Sequence, residues 1–219
     1  MLGALHVYDD PEPQAAAVNM AVDEALLGGS TTGVLRFYRW RRPSISFGYF
    51  GRYAEAAEQL GDREIVRRWT GGGMVPHGND LTYSIIIPAS DALFTRSSPQ
   101  IYRLVHEAIR SALQANGLAA ELAAGPAPKV SDACFANAVR ADVMSAGRKI
   151  AGAAHRRTRA GLLHQGSIQL PDLPDSFRHN LAQILCEGCE SKMLSYRILN
   201  VAREIAAAKY QTAAWLQRR

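Results

Sequence analysis

Cysteine is scarce in this chain of 219 residues: there are three, Cys134, Cys186 and Cys189. So small and odd a number does not make a disulfide framework. Cys186 and Cys189 form a C-x-x-C, but no second pair and no histidines at zinc spacing accompany it, so it reads as structural. None of the six histidines stands in an H-E-x-x-H arrangement, and no protein-held metal is expected. No apolar run approaches the length that crosses a bilayer. The start carries Asp9, Asp10 and Glu12 where a signal peptide would be basic and then apolar. The expected location is the cytoplasm, with no membrane partner. The arginine groups Arg39–Arg42 and Arg156–Arg159 lack the interleaved aromatics of a nucleic-acid platform, and no nucleic-acid partner is expected.

What is present is an ordinary globular composition, 47% hydrophobic and 21% charged, with a net charge of +5. That excess admits an anionic cofactor or an acidic protein partner. Leu5–Tyr8, Val34–Trp40, Ser44–Phe47, Glu64–Trp69 and Leu81–Ile87 read as strands, and so do Ala141–Met144, Lys149–Ala153 and Leu162–Leu170. Gln14–Leu27, Tyr53–Leu60, Pro99–Ala115, Pro174–Leu185 and Asn200–Leu216 read as helices. Strands come in adjacent runs with a few helices between them. The expected fold is α+β, a mixed or antiparallel sheet flanked by helices, in one domain over residues 1–219.

Three constellations carry chemistry. In Arg67-Arg68-Trp69-Thr70-Gly71-Gly72-Gly73-Met74-Val75-Pro76-His77 the glycines allow close backbone approach to a ligand, successive N–H groups can cradle an anion, and two arginines add charge. It is neither a P-loop nor a G-x-G-x-x-G fingerprint. Cys134 precedes Lys149 by fifteen positions, and a hairpin around Ser145-Ala146-Gly147 could bring the two together. A nearby ammonium lowers a thiol pKa, although an isolated cysteine is ordinarily a small buried hydrophobe. Finally, the small residues Ala151, Gly152 and Ala153 leave room for a ligand chain, or else for tight strand packing.

Ordered along the chain, several segments resemble the lipoate–protein ligase and octanoyltransferase family, whose catalytic fold is shared with biotin–protein ligases. They are Asn19-Met-Ala-Val-Asp-Glu24, Leu35-Arg-Phe-Tyr-Arg-Trp40 with Gly48-Tyr49-Phe50, Arg67 to His77 with Leu81-Thr-Tyr-Ser84, Cys134-Phe135, Gly147-Arg-Lys-Ile-Ala-Gly152 and His164-Gln-Gly-Ser-Ile168. The similarity spans residues 5–170, and the remainder is too short for a full C-terminal accessory domain. The resemblance implies an acyl or acyl-adenylate site shaped by Arg68, Gly71, Gly72, Gly73 and His77, with Ala151, Gly152 and Ala153 beside it and Lys149 at the reacting carbonyl or phosphate. Cys134-Phe135 is similar to the branch that carries octanoate as a cysteine thioester. That branch takes the acyl group from an acyl carrier protein and passes it to a lysine of a lipoyl domain or glycine-cleavage protein. Gly73-Met74 and Pro76-His77-Gly78-Asn79 resemble the ligase branch, which uses ATP and Mg to form a lipoyl-adenylate. The resemblance thus implies octanoyl or lipoyl transfer through Cys134 with no permanently bound cofactor. An ATP-dependent ligase and a non-catalytic acyl-binding protein are the alternatives.

Overall fold

A computed structural model describes residues 1–125 and 138–218. In chain order the strands are β1 (Leu5–Asp9), β2 (Gly33–Tyr38), β3 (Ser44–Phe47), β4 (Glu64–Arg67), β5 (Val75–His77), β6 (Leu81–Pro88), β7 (Glu121–Leu122), β8 (Val143–Ser145), β9 (Arg148–Arg157), β10 (Gly161–Ile168) and β11 (Cys189–Lys192). The helices are α1 (Ala16–Gly29), α2 (Tyr53–Ala57), α3 (Ser98–Ala115), α4 (Ser176–Leu185), α5 (Tyr196–Ile205) and α6 (Ala213–Leu216). Eight strands form one sheet in the order β11-β1-β2-β6-β10-β9-β8-β7, and β4-β3-β5 form a smaller one. β1 pairs parallel with β2 and β11, while β2, β6, β10, β9, β8 and β7 pair antiparallel in succession. This is the mixed sheet flanked by helices that the sequence implies.

The clearest sequence signals made the firmest elements. All eight residues of β6 are buried, because it lies in the middle of the sheet with both faces covered. α3 opens on a capping box between Ser97 and Gln100, with Pro99 in its first turn. Its Ile101, Val105, Ala108, Ile109, Ala112 and Leu113 recur at helical spacing and are buried.

The two faces of the large sheet differ in chemistry. Leu35 and Phe37 of β2 and Tyr83, Ile85 and Ile87 of β6 pack with α3 and α4 in an apolar core. The alternate residues Arg36, Ser84, Gln165 and Ser167 are also buried, yet polar. The first three meet α1, which supplies Asn19 and Asp23. Arg36 gives hydrogen bonds to Asp10, to Asp23 Oδ1 at 2.8 Å and to both oxygens of Asn19. Asp23 also accepts from Ser84 Oγ at 2.8 Å and Gln165 Nε2 at 2.7 Å, and the Gln165 oxygen accepts from Thr70 Oγ1. The Asn19–Glu24 segment is therefore an anchor for the central strands.

The expected helix over 200–216 is interrupted. α5 widens into a π-helical stretch at Ala206–Tyr210, and Thr212 caps α6 by accepting from Trp215 N. The wide turn lets Lys209 Nζ and Tyr210 OH both reach Glu24 Oε2, at 2.7 and 2.6 Å. β5, β7 and β11, of two to four residues, are too short to show a period and were not anticipated.

Replacing Arg36 by Met leaves two buried carboxylates without their cation. We expect a stability loss of about 3–5 kcal/mol, read from the urea midpoint. A loss below about 1 kcal/mol would show that the network is not needed to hold the sheet on α1.

Candidate functional site

Between the polar face of the large sheet and the small sheet lies a pocket. Tyr38, Thr82, Gln165, Ser167 and Gly152 line it from the large sheet, Ser46, Val75 and His77 from the small one, and Arg68 closes it from the end of β4.

The small sheet brings Arg68 and His77 together. β3 pairs parallel with β4 and antiparallel with β5, which places Ser46 opposite Val66 and Val75. Ser46 Oγ lies 2.6 Å from His77 Nε2 and accepts from Arg68 Nη1 at 2.7 Å. His77 Nδ1 lies 2.8 Å from Asp80 Oδ2, and Asp80 also accepts from Ser167 Oγ, Thr82 Oγ1 and Gly78 N. Asp80 fixes the tautomer: Nδ1–H donates to the carboxylate, so Nε2 accepts from Ser46. Trp40 stacks on the imidazole with ring centroids 4.0 Å apart and donates Nε1–H to Thr82. Burial holds the His77 pKa below its usual value, although Asp80 opposes this. Burial also works against the Asp80 carboxylate, but His77 and the hydrogen bonds from Ser167 and Gly78 outweigh it and hold its pKa at about 2.

The glycine loop has an unexpected polarity. Arg68 Nη2 donates to Gly71 O and Gly73 O, so these carbonyls turn toward the guanidinium. Gly72 takes φ +86°, a conformation open to glycine. Arg67 does not face the pocket. Its five N–H groups serve main-chain oxygens of Tyr49, Gly51, Trp215, Leu216 and Arg218, at 2.8 to 3.2 Å. It ties the segment around α6 to the turn that follows β3. Of the two arginines, Arg68 alone lines the pocket.

At the β9 wall, Lys149 Nζ pairs with Asp142 Oδ2 at 2.8 Å, both side chains buried. Asp142 also accepts from Val139 N and from the Tyr102 hydroxyl. The lysine occupies the space a side chain at Gly152 would take, since a Cβ there would sit 2.7 Å from Lys149 Nζ and 2.4 Å from its Cε. Gly152 and Ala153 line the pocket, whereas Ala151 packs into the apolar core on the other face. Cys134 and Phe135 lie outside the described residues. Of the residues singled out in the sequence, Arg68, His77, Gly152 and Ala153 line this pocket and Lys149 lies behind Gly152, whereas Ser46, Asp80, Ser167 and Asp142 were not among them. Asp80, three residues after His77, was the one that spacing could have found. The C-x-x-C gives a buried Cys186 and a Cys189 whose sulfur accepts from Gln183.

On the opposite face of the sheet, His155 Nε2 lies 2.6 Å from His164 Nδ1, and His164 Nε2 lies 3.0 Å from Tyr83 OH. His106 on α3 donates Nδ1–H to Ala141 O and leaves Nε2 without a partner. Burial lowers the pKa of His106 and of His155 to about 4, and holds that of His164 well below its usual value.

A resemblance in fold and a relationship in sequence both follow. The fold is that of solved lipoate–protein ligases. One, lipoate-protein ligase A bound with ATP, superposes with a TM-score of 0.78 at 22% identity, covering 99% of each chain. Another, a bi-partite lipoate protein ligase from Thermoplasma acidophilum studied with its E2 lipoyl domain, gives 0.72 at 22% identity over 99% of this chain and 96% of that one. Residues 15–207 match the lipoyl protein ligase A/B catalytic domain, and the chain belongs to that family. Among its relatives is octanoyltransferase LipM of Oceanobacillus iheyensis, 39% identical over 167 residues, or 72% of this chain and 61% of that protein. Octanoyltransferase LipM of Symbiobacterium thermophilum is 32% identical over 217 residues, 92% of this chain and 77% of that protein. The match to the first of these spans about three fifths of that relative's length. No helix among the described residues is long and apolar enough to cross a membrane.

The buried histidines predict an acid-sensitive fold. Below about pH 6.5 the unfolded chain takes up protons that the folded one refuses until near pH 4. Each such histidine removes on the order of 1 kcal/mol per pH unit as pH falls through that window. Asp80 acts lower, since its stabilising contribution is present above about pH 4 and is lost toward pH 2. Urea midpoints should fall steadily from pH 7 to 4.5 and more shallowly in His155→Gln/His164→Gln. Midpoints flat down to pH 5 would contradict the neutral, buried chain.

Proposed function

We propose that this chain is the catalytic domain of a protein acyltransferase that moves an octanoyl or lipoyl group onto a lysine of a lipoyl-carrying protein, through a thioester on Cys134. The observation that carries the reading is the pocket between the two sheets. Gly152 and Ala153 line it, and the buried Lys149–Asp142 pair lies against Gly152. The octanoyltransferases among its relatives support the choice of acyl group and of reaction.

In this reading the Cys134 thiolate attacks the carbonyl of an acyl–carrier-protein thioester. The carrier thiol leaves, and the acceptor lysine attacks the enzyme thioester to form an amide. Lys149 stabilises negative charge on the sulfur and on the carbonyl oxygen, with Asp142 fixing its position. Arg68 and His77, braced by Ser46 and Asp80, shape the acyl cavity. Acceptors of the fitting class are the lipoyl domains of 2-oxoacid dehydrogenases and the glycine-cleavage carrier protein. An ATP-dependent ligase is the second reading, favoured by the ATP held in one protein of the same fold. It would require ATP and Mg as co-substrates.

Incubation with octanoyl–acyl carrier protein should give a hydroxylamine-labile mass adduct on Cys134, and Cys134→Ala should lose transfer. Lipoate-dependent pyrophosphate release that survives Cys134→Ser would replace this reading by the ligase. Ligand-dependent thermal stabilisation without turnover in either assay would leave a binding protein.

Gly152→Ala tests the role of Lys149 separately. The added methyl displaces the amine from Asp142, so we expect a folded protein whose transfer step is slowed on the order of 10–100-fold. Unaltered turnover in a folded Gly152→Ala protein would remove Lys149 from the chemistry.

A further inference from the structure

On the outer side of the glycine loop, aromatic rings and cations alternate. Tyr49 stacks between Arg156 and Arg218, whose guanidinium carbons lie 4.9 and 4.1 Å from the ring centroid. Trp69 faces Arg156 at 5.1 Å and Lys209 at 4.2 Å, and Lys209 also lies over Trp215 at 4.3 Å. Phe50 packs edge-on against Tyr49, yet is 85% exposed. The arginine group at 156–159, which lacks interleaved aromatics along the sequence, thus acquires them in space. Tyr49 and Trp69 arrive from positions roughly a hundred residues away.

The charge of this surface is not neutralised. Lys209 pairs with Glu24 at 2.7 Å, and Arg52 lies 3.7 Å from Glu55. Among the described residues no carboxylate pairs with Arg67, Arg156 or Arg218. Arg156 Nε is buried without a hydrogen-bond partner and rests on the ring faces alone. Arg67 is buried and serves the main chain, which leaves Arg156 and Arg218 as guanidinium groups without a carboxylate partner beside Tyr49 and the exposed Phe50. Aromatic and arginine side chains with a charged rim are the composition of protein-binding hot spots.

The patch also touches the site. Tyr49 N donates to Thr70 O at 2.8 Å. A Cβ on Gly48 would lie 2.0 Å from Gly72 O, so the turn carrying Tyr49 and Phe50 lies directly on the glycine loop.

We propose that Phe50, Tyr49, Arg156 and Arg218 form the docking surface for the acceptor: a protein domain with an acidic face beside its target lysine. This rests on the acyltransferase reading. The acceptor is favoured over the donor carrier because both the thioester and the adenylate routes require it, and the carrier serves only one. Opposite charge would steer the encounter, and Phe50 would supply the apolar anchor.

The test uses Phe50→Ser and Arg156→Glu/Arg218→Glu with an apo E2 lipoyl domain and octanoyl–acyl carrier protein. Titration of the lipoyl domain measures binding without catalysis, and hydroxylamine replaces the acceptor to measure turnover without docking. We expect the variants to bind the lipoyl domain at least tenfold more weakly. Their hydroxylamine turnover should match that of the parent, and their acceptor kcat/KM should depend less steeply on salt. Reversing acidic residues of the lipoyl domain should restore binding to the charge-reversed protein. Unchanged affinity and salt dependence in folded variants would overturn the proposal. So would a defect confined to the KM for the carrier. If the parent protein binds the lipoyl domain but transfers nothing, docking stands and the acyltransferase reading fails.

Discussion

The bond between Arg36 and Asp23 is the constraint around which the molecule is arranged. A guanidinium with no solvent exposure, between a central strand and the first helix, is tolerable only when its donors are satisfied. Asp10, Asn19 and Asp23 do this. Asp23 in turn fixes Gln165, and Gln165 receives the hydroxyl of Thr70 at the entrance of the glycine loop. The same hydrogen-bond network that seats the helix on the sheet thus sets the position of the loop beside the pocket.

Three arginines close in sequence or space have different tasks. Arg36 is matched by carboxylates. Arg67 is matched by main-chain carbonyls and joins the segment around α6 to the turn after β3. Arg68 is matched partly by Ser46 and the loop carbonyls at the pocket wall. Adjacent residues on a strand face opposite sides, which separates Arg67 from Arg68. The histidines divide similarly. His77 belongs to the pocket, while His155 and His164 belong to the side of the sheet that packs on α3.

Much of the fold was legible because its main elements carry strong local signals. The unbroken apolar run of β6 and the capped, periodic α3 are of this kind. The two- and three-residue strands β7 and β5 exist only through their partners, and no window of sequence reveals them. The candidate site was half legible. Glycines and charged residues clustered along the chain announce themselves, as Arg68, His77 and Gly152 did. Ser46, Ser167 and Asp142 are ordinary residue types that gain meaning from pairing across sheets. The interruption of the helix at 206–212 follows from Glu24, nearly two hundred residues away, and local propensity could not show it. The surface rings around Arg156 were hidden for the same reason.

A cavity walled by two sheets has a gauge rather than a mould. Facing sheets stand roughly 10 Å apart, and their separation is set by backbone packing that no single side chain can adjust. The width of this pocket is therefore held by hydrogen-bonded strands, and it would persist through many changes in the residues that line it.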